Sequence, residues 1–204
     1  IFGELIYALE YREEEIDLQY KEFSEGNEYG TLTVPLKDQL MVIGTMNTAD
    51  RSIILFDAAL RRRFSFIPLF PDYDLLAQAL DIDVAYAREK FNKKLTGIVG
   101  AQENKILSIL ALEIINSKLA DDVSIGREKQ IGHTFLLELQ KQPENFEKVW
   151  KRDILPLLEE YYFDDTKRIK KMFNAEIYTV EDGIKEFDQD VLHESLTKYV
   201  KNNE

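Results

Sequence analysis

The sequence predicts a mixed α/β segment followed by an all-helical one. Three observations carry that expectation. Residues 40–70 read as an apolar strand, a polar tip, a short amphipathic helix and a second apolar strand. An alternating, β-prone stretch precedes them between residues 16 and 34, and after Pro71 the apolar residues recur at helical spacing. The change of character divides the chain into an expected α/β part, residues 1–71, and an expected helical part, residues 72–204, with a tail helix at its end.

Ile1 to Tyr11 fits a helix with Ile1, Leu5, Ala8 and Leu9 on one side. Ile16, Leu18 and Tyr20, then Tyr29, Leu32 and Val34, flank a turn at Gly26-Asn27, which predicts a β-hairpin ended by Pro35. Leu40 to Met46, centred on Val42 and Ile43, suits a strand covered on both faces. Asn47, Thr48, Asp50 and Arg51 form a polar tip at its carboxyl end, where open α/β sheets place their ligand sites. Ser52 can cap the next helix, whose apolar positions are Ile53, Leu55, Phe56, Ala59 and Leu60. Arg61, Arg62 and Arg63 load its last turn, the end at which the helix dipole favours cations. Phe64 to Phe70 is β-prone, and Pro68 and Pro71 mark an edge or an abrupt end.

In the second part, Asp72 to Leu80 is expected as a capped helix with Leu75, Leu76, Ala79 and Leu80 apolar, and Val84 to Leu95 as another. Asn104 to Leu119 is the clearest helix. Ile106, Leu107, Ile109, Leu110, Leu112, Ile114, Ile115 and Leu119 nearly encircle it, so several neighbours must bury it. A loop over Asp121 to Gly132 leads to helices at Thr134–Gln140 and Asn145–Tyr162, the latter interrupted at Pro156. A basic helix over Asp164–Phe173 and a last one over Val180–Val200 complete the chain, with Trp150 and Tyr161-Tyr162-Phe163 expected in the core.

Composition narrows the function classes. The 204 residues suit one ordinary domain or two small ones, and 45 % hydrophobic residues suffice for a core. No apolar run approaches the ~20 residues of a membrane span. The absence of cysteine excludes disulfides and thiolate metal sites and agrees with a reducing cytoplasm. His133 and His193 are too far apart for a zinc motif, so no metal ligands are predicted. A net charge of −12 disfavours sequence-independent binding to nucleic acid, which depends on cationic contacts to phosphate. The pattern G-x-x-x-x-G-K-[ST] is absent and no apolar strand ends in paired acids, so the usual P-loop mode of nucleotide binding is not available to this chain alone.

GTMNTADRS (Gly44 to Ser52) followed by DAALRRRF (Asp57 to Phe64) resembles the sensor-1 and arginine-finger region of the AAA+ motor in the McrB family, the GTP-hydrolysing subunits of modification-dependent restriction systems. IGHTFL (Ile131 to Leu136) and ILPLLEEYYFDD (Ile154 to Asp165) resemble two segments of that family's lid, and FGELI (Phe2 to Ile6) resembles the segment after its Walker B acids. The resemblance implies an incomplete AAA+ P-loop NTPase core, comprising its last strands, the sensor-1 and arginine-finger region and an inserted β-hairpin, joined to a helical lid. The chain opens on Ile1 rather than Met, and the resemblance implies that it begins just downstream of the metal-binding strand. Walker A and Walker B are then missing, and this piece alone is expected to be inactive and to hold no cofactor. For the intact protein the resemblance implies a cytoplasmic homo-oligomeric ring of hexamer type. That ring would hydrolyse GTP rather than ATP with Mg²⁺ and drive an McrC-type nuclease subunit, with DNA bound through a separate domain. Two other classes stay open: an ATP-dependent MoxR-like or dynein-like remodelling protein, and a catalytically inactive, truncated interaction module.

By position in the motif, Asn47 is the expected sensor-1 residue, a neutral amide that can hold the attacking water; its plain alternative is an Asx-turn after a strand. Arg62 and Arg63 are the expected arginine fingers, since a guanidinium stays charged and matches phosphate oxygens; the plain alternative is a helix end matched to its dipole. Arg61 is expected to turn toward Asp57, an i,i+4 pair of favourable orientation. Asp50 is expected to support the loop, and Arg51 is left without an assigned role. His133, at a helix start, is either a cap or a nucleotide-facing residue of the sensor-2 region, where an arginine is usual. Lys167, Arg168, Lys170 and Lys171 are expected to form a solvated or subunit-contacting face.

Overall fold

The computed structural model describes residues 3–24, 27–35, 39–47, 60–83, 85, 89, 100–163 and 165–203, without the side chains of residues 20–24 and 27–29. The chain separates into two compact units, Ile1–Pro68 and Leu69–Glu204.

In the first unit, helix α1 (Gly3–Glu10) buries Ala8. Strands β1 (Ile16–Ser24) and β2 (Asn27–Leu32) pair antiparallel, with Ile16 opposite Leu32 and Ser24 opposite Asn27. The hairpin is therefore present, though Asn27 belongs to its second strand and not to the turn. Ile16 and Leu18 are half-buried and alternate with exposed Asp17 and Gln19, as a one-sided strand requires. The Arg12 guanidinium donates to the carbonyls of Pro35 and Leu40, both at 2.9 Å, and so ties the start of the hairpin to the segment after it.

That segment corrects the sequence reading. Leu40 to Met46 is neither a strand nor buried: Met41 is 78 % and Ile43 83 % exposed. A central strand needs hydrogen-bonding neighbours for its backbone. β1 and β2 use each other, and no described residue pairs with 40–46. The expected strand over Phe64 to Phe70 is absent for the same reason, with Ile67 81 % and Leu69 92 % in water. Between them, Leu60 and Arg61 are helical and the turn closes with the N–H groups of Arg63 and Phe64 donating to the Leu60 carbonyl. The remainder of that expected helix lies outside the described residues.

The second unit is built around helix α3 (Ala101–Asp121), which buries Ile106, Leu107, Ile109, Leu110, Leu112, Ile115 and Leu119 on nearly all sides. Helix α2 (Tyr73–Ala79) is capped by Asp72, whose carboxylate accepts from the Leu75 N–H at 2.8 Å. It turns Leu76 and Ala77 inward, while Leu75, expected inside, is 54 % exposed. The helix expected over Val84–Leu95 lies outside the described residues, apart from Ala85 and Glu89, both helical. A 3₁₀ turn over His133–Leu137 continues into α4 (Glu138–Lys141). The interruption at Pro156 takes a defined form. Helix α5 (Phe146–Val149) widens into a π-helical turn over Trp150–Ile154 before α6 (Leu155–Tyr161) resumes with proline in its first turn. Proline has no N–H to donate, and the wider turn accommodates the lost bond. Of the aromatic run, Tyr162 is buried, whereas Phe163 is 81 % exposed.

Helix α7 (Lys167–Met172) follows. The last stretch differs from the expected single helix beginning at Val180. Tyr178–Thr179 (β3) and Gly183–Ile184 (β4) form a small hairpin. Residues 180–182 form the turn of this hairpin, and Gly183, with φ 70°, lies in the left-handed region that a right-handed helix does not use. Helix α8 (Gln189–Lys201) then starts at an Asp188 cap and packs on α3 through Leu192, Leu196, Tyr199 and Val200. The stretch after α7 thus belongs to the core, with Phe173, Ile177, Tyr178 and Phe187 all buried.

Candidate functional site

The three arginines separate into three environments. The Arg61 guanidinium lies over the Phe66 ring, 5.1 Å from its centroid, a cation–π contact within one loop. Arg63 turns inward and pairs with the Glu10 carboxylate of α1; its side chain is 12 % exposed and that of Glu10 40 %. Arg62 is exposed at the end of the helical turn. One donor of the Arg63 fork is thereby engaged, and Glu10 offsets its charge. Arg62 is thus exposed where Arg63 is half-buried against α1.

Asn47 is exposed and belongs to neither helix nor strand. Asp50, Arg51 and Asp57 lie outside the described residues. No group of three or more His, Cys, Asp or Glu among the described residues could hold a metal ion.

His133 and its surroundings form a second constellation. Its Nδ1 accepts the backbone N–H of Asp72 at 3.0 Å, so the ring fixes the start of α2 against the 3₁₀ turn. The turn itself is clamped by Asn116, a fully buried residue of α3. The Asn116 amide donates to the Ile131 carbonyl at 2.8 Å and to the Tyr73 hydroxyl at 2.8 Å, while its oxygen accepts the Ile131 N–H at 2.7 Å. Burial pushes the Tyr73 phenol above its usual range, with the Asn116 bond acting in the opposite sense. A second buried polar pair sits deeper, where Trp150 Nε1 donates to the Ser108 hydroxyl at 3.0 Å. Asn116 and Ser108 were not singled out from the sequence, although a polar residue at a core position of so apolar a helix signals a buried hydrogen bond. No signal could have found Glu10 as the partner of Arg63, 53 positions away.

Residues 108–170 of this helical unit match the family model for the McrB alpha-helical lid domain. Beyond the lid, the chain is similar to the Type IV methyl-directed restriction enzyme EcoKMcrB subunit of Escherichia coli (strain K12), 32 % identical over 185 residues. That match covers 85 % of this chain and 36 % of the relative, so the chain spans little more than a third of that protein's length. The sequence is of the McrB type. No solved structure matches. No helix among the described residues is long and apolar enough to cross a membrane.

Proposed function

We propose that residues 1–71 are the last part of an AAA+ α/β nucleotide domain and residues 72–204 its helical lid. The intact protein is a ring-forming, GTP-hydrolysing motor subunit of a modification-dependent restriction complex. The observation that carries this reading is the extent of the match to the E. coli subunit. An alignment over 85 % of the chain cannot avoid the segment from Asn47 to Arg63, so the likeness joins that segment to the lid and is not confined to the lid.

The half-site works as follows in this reading. Asn47 holds the attacking water of its own subunit's site by hydrogen bonding. Arg62 reaches a neighbour's site and stabilises charge on the transferred phosphoryl oxygens. Arg63, bound to Glu10, braces the turn from which Arg62 projects, and Arg61 is held back on Phe66. His133 has Nδ1 engaged by Asp72, which leaves Nε2 as the ring nitrogen for a nucleotide. When bound, GTP with Mg²⁺ would supply the phosphoryl group to be transferred and positive charge to offset its oxygens. A neutral amide and cations suit the half of a site that receives phosphate. Asp50 is assigned a supporting role in the loop after Asn47, and Arg51 is assigned none. An McrC-type nuclease is the partner driven, and DNA is read by a separate domain.

Turnover of GTP and of ATP by the intact protein, with and without the nuclease subunit, tests the reading. GTP hydrolysis stimulated by the nuclease is expected. A preference for ATP points instead to a MoxR-like remodelling protein, and no hydrolysis of either points to an interaction module.

A further inference from the structure

The surface of the lid carries a shallow pocket of about 220 Å³ lined by Lys118, Asp122, Tyr162, Arg168, Lys171 and Met172. Three of those six side chains are cations, in a chain of net charge −12. The single carboxylate among them is fully engaged. Its Oδ1 accepts from the Ser124 N–H at 2.9 Å and the Ser124 hydroxyl at 2.6 Å, and its Oδ2 pairs with Arg168. Arg168 also bonds Asp165 at 2.8 Å, so its charge is compensated twice.

Lys118 and Lys171 form no ion pair with any described residue. Much of the Lys118 side chain is in water, yet its ammonium is drawn to neutral partners, the Asn203 side-chain oxygen at 2.6 Å and the Tyr199 ring at 5.0 Å. Partial loss of water there holds the Lys118 amine below the usual lysine range. A cation held at a fixed point without a countercharge is stabilised by an anion placed beside it, and the second lysine adds to the field.

We propose that this pocket binds a phosphate group, with Lys118 and Lys171 as its charged donors and Arg168 at its edge. A shallow pocket of this size has room for a phosphate group together with several waters. The phosphate comes either from free inorganic phosphate or from the phosphodiester backbone of a nucleic acid. The proposal does not depend on the nucleotide chemistry assigned to the first unit.

Carbon–proton NMR of the lysine side-chain methylenes tests it on the full chain, with inorganic phosphate titrated against chloride at matched ionic strength. A saturable shift of the Lys118 and Lys171 signals is expected. Lys171→Gln, at an exposed position with an unchanged thermal melt, is expected to weaken phosphate binding about tenfold. Lys118→Gln is expected to abolish the response of Lys171. A drift without saturation shared by lysines elsewhere on the surface overturns the proposal, as does unchanged affinity in Lys171→Gln. A single-stranded oligonucleotide lacking terminal phosphate separates the two sources: competition with phosphate identifies the backbone, and lack of competition identifies free phosphate.

Discussion

The two units bury their apolar residues to very different extents. The second unit surrounds α3 with helices on every side and closes its core with Trp150, Phe146 and Tyr178, all nearly inaccessible to water. In the first unit the fully covered apolar side chains among the described residues are Ala8 and Val34, while Met41, Ile43 and Ile67 stand in water. A helix can satisfy its backbone internally and needs only side-chain cover. A strand depends on a neighbour for both, and 40–46 has none among the described residues. The lid therefore has the elements of an independent fold, and the first unit has a hairpin and a helix around a segment whose apolar residues still face water.

Substitutions can break or sharpen this contrast. Leu112→Ala removes a fully buried side chain of α3 and is expected to cost about 2–5 kcal/mol. Ile43→Ala, at an 83 % exposed position, is expected to change stability by less than about 0.5 kcal/mol. Chemical denaturation of both variants, monitored by Trp150 fluorescence and by circular dichroism, checks the pair. Equal losses would mean that Ile43 is as well packed as Leu112. Asn116→Ala leaves the Ile131 N–H and carbonyl buried without partners, and a loss of about 3 kcal/mol is expected in the same assay. Ser108→Ala leaves one buried donor, Trp150 Nε1, and is expected to cost about 1–2 kcal/mol with a shifted Trp150 emission.

The smallest effect is one of pH. The Arg152 guanidinium, and after it the Asn145 amide, hold the Glu138 carboxyl below its ordinary value of 4.5. Its folded-state value lies below its unfolded one, so the bonds stabilise the fold above the ordinary carboxylate range and are lost as pH falls through the folded value. Glu138→Gln is expected to reduce the pH dependence of the melting temperature below about pH 4.5. An unchanged acid limb would show that Glu138 is no better stabilised in the fold than in the unfolded chain.

Legibility in the sequence followed the same physics. The lid helices could be read because a period near 3.6 is local, and Asp72 and the Pro156 interruption carry their own signatures. The hairpin could be read from alternation. Residues 40–46 and 64–70 have the composition of strands, but pairing is set by neighbours and not by composition. At the chain end, helical spacing concealed the turn over residues 180–182, after which a left-handed Gly183 stops any helix begun at Val180. Among the site residues, the arginine cluster was evident. Its division into an inward Arg63, a stacked Arg61 and an exposed Arg62 depends on Glu10 and Phe66, which no motif includes.

The central claim is that Arg62 serves a neighbouring subunit. Arg62→Ala in the intact protein is expected to lower GTP turnover by ~10³–10⁵ while nucleotide binding survives. Mixing that variant with a second variant that keeps Arg62 but cannot bind nucleotide tests the claim most directly. Recovery of turnover in the mixture is the predicted result, because one variant supplies the arginine and the other the nucleotide site. A mixture as inactive as either variant alone, or loss of nucleotide binding by Arg62→Ala itself, would contradict it.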